Sequence, residues 1–152
     1  MLQEGDIAPE LSLESGAGDT IRLADLRGRR VVLFFYPKDD TSGCTKEACG
    51  FRDAKAELEA LGVVVLGVSP DGVGSHGRFR DKYALNFPLL ADTDHSVAEA
   101  YGAWGAKKLY GREYEGVLRS TFLIGADGRI EKIYRKVKPA GHADEVLADL
   151  EP

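Results

Sequence analysis

The chain has 152 residues, 20 basic against 25 acidic side chains, and a formal net charge of −5. That length suits a single domain spanning residues 1–152, able to bury roughly two-thirds of its unfolded surface without a disulfide or metal staple. The acidic balance excludes the basic footprint with which nucleic-acid binders neutralise phosphates. The longest apolar runs, VVLFFY and VVVLGV, fall far short of the ~20 residues of a membrane span, so neither nucleic acid nor membrane is an expected partner. The opening MLQEGDIAPE lacks the basic and apolar regions of a signal peptide, so a cytoplasmic location is expected. Only two cysteines are present, Cys44 and Cys49. They are too few for a closed zinc site, and in a reducing compartment they do not suit a permanent structural disulfide.

Taken in chain order, Leu11 and Leu13 alternate with polar residues, a Gly/Asp turn follows at 16–19, and Ile21 and Leu23 alternate again. This predicts an N-terminal hairpin of two short strands. RRVVLFFYP is nearly continuous in apolar residues, as in a strand buried on both faces, and Pro37 ends it. A helix is predicted over 44–61, with Cys44, Ala48, Phe51, Ala54, Leu58 and Leu61 on one stripe and Gly62 as its stop. A second buried strand covers 63–69, a short helix lies around 75–85, a strand at 87–92 and a helix around 95–103. The segment 105–116, with Lys107, Lys108 and the tyrosines at 101, 110 and 114, reads as a solvated excursion bordering the active site or an interface. Two strands then flank the turn Ala126-Asp127-Gly128, and an amphipathic helix starts at His142. This order predicts an α/β fold of thioredoxin-like type, with a mixed central sheet flanked by helices.

Cys44 opens the predicted 44–61 helix. Unpaired N–H groups and the positive end of the dipole stabilise negative charge there and favour the thiolate, which is the reactive form. Thr41, three residues earlier, offers a hydroxyl to the sulfur or its substrate, and Pro37 fixes the entry of the loop and shields the sulfur. The alternative is a core cysteine on the apolar stripe. Cys49 lies five positions on, about 140° around the helix, with an ideal Cα–Cα separation of roughly 8.6 Å. A disulfide needs less than about 7 Å. The two cysteines can therefore bond only if the first turns of the helix unwind. Four intervening residues suit a nucleophile and a remote resolving thiol better than the two-residue spacing of a disulfide oxidoreductase.

PKDDTSGC matches the P-x-x-x-T-x-x-C signature of the peroxiredoxins, with Pro37, Thr41 and Cys44 in register. The longer stretch FFYPKDDTSGCTKEACGFRD resembles the bacterioferritin comigratory protein (peroxiredoxin Q) group, and the similarity runs from GDIAPEL through GVSPD, NFPLLAD and RSTFLI to the C-terminus. The resemblance implies that Cys44 attacks a hydroperoxide and becomes a sulfenic acid. Thr41 would hydrogen-bond the peroxide, and backbone N–H groups near Gly43 and Cys44 would hold its oxygens. Arg119 would favour the thiolate and polarise the leaving oxygen, and Glu47 would position that arginine. Cys49 would close an intramolecular disulfide, reopened by thioredoxin or a similar dithiol. The group leans toward monomers. One departure is visible: Ser42 stands where the group usually has proline.

Residues 72–77, GVGSHG, form a G-x-G-x-x-G run between a strand and a helix, with Asp92 twenty residues beyond Gly72. Ser69-Pro70-Asp71 interrupt the tight turn that a dinucleotide site needs, the next helix is short, and the second half of such a fold is missing. No cofactor is expected, and Ser75 reads instead as an N-cap. His76, His95 and His142 have no metal-ligand spacing with one another or with the cysteines. Asp94 reads as the N-cap of the following helix, and no metal is expected. Three function classes remain: a thiol peroxidase, a general disulfide oxidoreductase, and a non-enzymatic redox sensor or adaptor.

Overall fold

The computed structural model describes residues 1–150. The chain begins with a hairpin of β1 (Ser12–Glu14) and β2 (Thr20–Arg22), paired antiparallel with Leu13 opposite Ile21. A 3₁₀ turn at Leu23–Leu26 leads into β3 (Arg30–Phe35). Then follow α1 (Ser42–Ala60), β4 (Val63–Ser69), α2 (Val73–Tyr83), β5 (Leu89–Ala91) and α3 (Ser96–Ala100). A hairpin of β6 (Trp104–Leu109) and β7 (Arg112–Val117) precedes β8 (Ser120–Ile124), β9 (Ile130–Arg135) and α4 (His142–Leu150).

Five strands form the central sheet in the order β5-β4-β3-β8-β9. β3, β4 and β5 run parallel because helices carry the chain back between them, whereas β8 and β9 are antiparallel across a short turn. Gly128 at φ +85° supplies the left-handed residue of that turn. Alternation along β3 divides the core in two. Val32, Phe34 and Tyr36 face α1, α2 and α4, while Val31, Leu33 and Phe35 face α3 and the N-terminal segment. The sheet is mixed and flanked by helices, as the element order predicts.

Several local expectations are corrected. α1 starts at Ser42 rather than Cys44, so Cys44 is the third residue of its first turn, and Leu61 falls beyond the helix and is 37% exposed. Gly72 caps α2, which places Ser75 inside the helix with its hydroxyl turned to Asp39. α3 is shorter than expected, and His95 at φ +50° rather than Asp94 is its N-cap residue. Buried Asp92 takes over much of the capping, accepting the Val97 and Ala98 N–H groups, while Asp94 accepts from Ser96. The segment 105–116 is a regular hairpin. Its strands pair only with each other and expose most of their side chains, so no period-two apolar pattern marks them. Tyr101 is not solvated but fully buried, donating its hydroxyl to the Pro9 carbonyl at 2.6 Å.

Candidate active site

The site forms where β3 runs out. The Tyr36 N–H still reaches the Val68 carbonyl, and half-buried Pro37 then ends the strand. Asp40 turns the chain at φ +59°, a conformation that aspartate tolerates better than most residues. Thr41 returns to extended backbone (φ −92°, ψ 157°) and accepts the first helical hydrogen bond from the Thr45 N–H at 2.8 Å. Its side chain makes no cap bond; the hydroxyl donates instead to the Lys38 carbonyl at 2.9 Å. The N–H groups of Ser42, Gly43 and Cys44 therefore stand in the first turn, where a helix provides no internal partner.

The register between β3 and β8 brings the arginine in. Phe35 lies opposite Ser120, which sets Arg119 beside the loop that follows β3. One guanidinium nitrogen, Nη2, donates to Cys44 Sγ at 3.2 Å, and the other, Nη1, donates to Glu47 Oε1 at 2.6 Å. Cys44 is 1% exposed, and the Glu47 side chain is completely enclosed. Glu47 stands three positions after Cys44, about one helical turn, so one guanidinium spans both. Thr41, Gly43, Cys44, Glu47 and Arg119 are thus brought together, with Pro37 at the loop's entry. Cys49 is half-buried against the same core as Cys44. Both thiols are free, and α1 is continuous through them.

Burial dominates the electrostatics. It pushes the Glu47 carboxyl up to about 7, although the charge and hydrogen bond of Arg119 pull the other way. Glu47 Oε2 is buried without a hydrogen-bond partner, consistent with that penalty. Burial also works against the charge of Arg119, but Glu47 and the Cys44 sulfur outweigh it and hold the guanidinium above its ordinary range. Lys107 is lowered, first by burial and then by repulsion from Arg119. Its Nζ donates to the Val117 carbonyl within the 104–117 hairpin, and Lys107 lines a cavity together with Leu118 and Arg119, which sets the hairpin beside the site.

Two neighbours had no signal in the sequence. A Cβ added to Gly43 would meet Pro139 Cγ at 3.3 Å and Arg119 Nη2 at 3.4 Å, which shows Pro139 closing the site from the β9–α4 connection. His142, on the first turn of α4, is lowered by burial, with a smaller contribution from Arg119. Among the described residues, no group of three or more His, Cys, Asp or Glu side chains is arranged to hold a metal ion. Nor is any helix long and apolar enough to cross a membrane.

The AhpC/TSA family model matches residues 5–133. The chain is 48% identical over 149 residues to peroxiredoxin Bcp of Bacillus subtilis, covering 98% of this chain and 95% of that protein. A structure of Xanthomonas campestris peroxiredoxin Q superposes with a TM-score of 0.88 at 41% identity, covering 92% of this chain and 89% of the other. The crystal structure of a Xylella fastidiosa PrxQ mutant gives 0.94 at 36% identity, covering 99% and 96%. A cysteine at a helix start, tied by one arginine to a buried glutamate, thus sits in a chain that matches these proteins almost end to end. The chain belongs to the AhpC/TSA family, as a peroxiredoxin of the Bcp or peroxiredoxin Q group.

Proposed function

We propose that this protein reduces hydrogen peroxide and organic hydroperoxides with Cys44 as the nucleophile and Cys49 as the resolving thiol. The observation that carries this reading is the Arg119 fork, with Cys44 Sγ on one nitrogen and Glu47 on the other. The guanidinium and the open N–H groups of the first turn of α1 favour a sulfur anion at Cys44. That anion attacks the terminal oxygen of ROOH, the O–O bond breaks, and the departing alkoxide takes up a proton and leaves as ROH or water. Thr41 holds the peroxide, and the Gly43 and Cys44 N–H groups with Arg119 receive the charge that develops on its oxygens. Pro37 limits water at the sulfur, and Glu47 fixes the plane of the guanidinium.

Cys44 is left as a sulfenic acid. The Cys49 thiol then attacks that sulfur, water departs, and a Cys44–Cys49 disulfide forms. An intact helix holds these positions roughly 8.6 Å apart, so the first turns of α1 unwind for this step. Glu47 lies between the two cysteines, so unwinding also takes apart the Arg119 fork and resets the site only after reduction. Thioredoxin or a similar dithiol supplies the two electrons, in the reducing cytoplasm. The reaction needs no metal or organic cofactor.

The test is peroxide-dependent NADPH oxidation in the presence of thioredoxin and its reductase. Wild type turns over, Cys44→Ser does not, and Cys49→Ser consumes about one equivalent and stops unless an external thiol resolves it. Full turnover by Cys44→Ser would overturn the assignment. Rapid insulin reduction with slow peroxide consumption would point to a general disulfide oxidoreductase, and disulfide formation without turnover to a non-enzymatic sensor.

A further inference from the structure

The loop that carries Pro37 and Thr41 is anchored to α2 by a buried polar cluster that the reaction as described does not use. Asp39 is 8% exposed and His76 is fully buried. The Asp39 carboxylate receives the Tyr36 hydroxyl at 2.6 Å on one oxygen, and on the other the Ser75 hydroxyl and His76 Nδ1, both at 2.7 Å. The far side of the ring is also engaged, with Nε2 2.9 Å from the Leu90 carbonyl. That carbonyl can only accept, so Nε2 carries a hydrogen, and Nδ1 meets Asp39 with a single proton between them. The Asp39 N–H donates to Asp71 at 2.7 Å, and Asp71 is itself held by the Ser69 hydroxyl. Next along the chain, Asp40 is gripped by Lys82 and Tyr83, again from α2.

Burying a carboxylate costs several kcal/mol unless its lone pairs are satisfied, and here donors occupy both oxygens. The cluster stands one residue from Lys38, whose carbonyl receives the Thr41 hydroxyl. Any rotation of the Asp39 peptide therefore moves the acceptor that aims Thr41. We propose that Asp39 and His76, with Ser75, are positioning residues for peroxide reduction: they lock the 38–41 backbone so that the Thr41 hydroxyl presents its free lone pairs toward the space before Cys44. Ser75 and His76 belong to the GVGSHG run, whose glycine pattern suggests a nucleotide; its polar side chains serve the active-site loop instead. This inference rests on the assignment of Thr41 as a peroxide ligand.

The test is a double-mutant cycle on the single-turnover rate constant for hydrogen peroxide with reduced protein, using Asp39→Asn, Thr41→Val and the pair. Asparagine keeps the shape of Asp39 but presents an NH₂ to donors, so the loop loses its lock. Asp39→Asn is expected to lower the rate about tenfold in the wild-type background and by less than about twofold in the Thr41→Val background. Alkylation of Cys44 by neutral iodoacetamide should change less than about twofold, because the sulfur and Arg119 are untouched. Should Asp39→Asn fail to fold, Ser75→Ala removes one of the three donors and carries the same cycle, with about a threefold effect expected. A normal rate in Asp39→Asn beside a slow Thr41→Val overturns the lock while leaving Thr41 in place. Additive losses, or equal losses in peroxide and iodoacetamide reactivity, reduce the cluster to fold maintenance and also overturn it. A normal rate in Thr41→Val removes the assignment of Thr41 and, with it, the lock.

Discussion

Replacing Glu47 with glutamine should make the protein more stable above neutral pH and a poorer catalyst. The Glu47 side chain is fully enclosed, one oxygen is bound to Arg119 and the other has no partner. Its carboxyl keeps its proton to about 7 in the folded chain, against an ordinary value of 4.5. Between those values the unfolded chain has already released the proton and the folded one has not, so stability falls as pH rises through this window. At ~1.4 kcal/mol per pH unit, the loss from this one group between pH 5 and pH 8 is roughly 2–3 kcal/mol. Glutamine keeps the shape and an acceptor for Arg119 but has no proton to lose. Urea unfolding of wild type and Glu47→Gln at pH 5, 6, 7 and 8, under reducing conditions, measures the difference directly. It should shift by roughly 2–3 kcal/mol toward the variant as pH rises. Peroxide consumption by the variant should fall above pH 7, where Glu47 of the wild type is ionised and gives Arg119 a countercharge that glutamine lacks. A difference constant to within ~0.5 kcal/mol would refute the reasoning, since Glu47 would then already be ionised at pH 5 in the folded state.

Arg119→Lys keeps the charge but cannot fork to Cys44 and Glu47 together; a loss of about 10²-fold in kcat/KM for peroxide is expected, with Tm nearly unchanged. Gly43→Ala gains up to ~1 kcal/mol of helix propensity yet presses on Pro139 and Arg119, so urea titration should show equal or higher stability beside about tenfold slower peroxide reduction. Ser42→Pro restores the residue usual in the resembling group. Ser42 is the first residue of α1, and Thr41 before it is already extended, so proline fits without strain. It should add ~0.5–1 kcal/mol to stability and slow disulfide closure a few-fold in stopped-flow, leaving the sulfenic acid step unchanged.

What the sequence reveals depends on how locally each feature is determined. β3, β4 and the apolar stripe of α1 are legible because burial on both faces, or on one helical face, writes itself into consecutive residues. Cys44, the proposed nucleophile, and Thr41 are legible because the helix start and the three-residue spacing are local as well. Glu47 is harder: an acid in an early helical turn is ordinary, and only an arginine 72 positions away makes it a buried partner. The 104–117 hairpin leaves no apolar alternation because neither of its strands joins the central sheet. Tyr101 reads as solvated from its polar surroundings, whereas the fold closes the N-terminal segment over it through Pro9. Asp39 and His76 are 37 residues apart and meet only because α2 packs behind the active-site loop.

The most direct measurement is peptide mapping of the reduced protein after one equivalent of hydroperoxide, together with hydrogen exchange across α1. A Cys44–Cys49 cross-link is expected, with exchange protection lost over the first turns of α1 and kept through Phe51 and Leu58. Initial oxidation at Cys49, or a Cys44–Cys49 bond with α1 still fully protected, would contradict the proposed cycle.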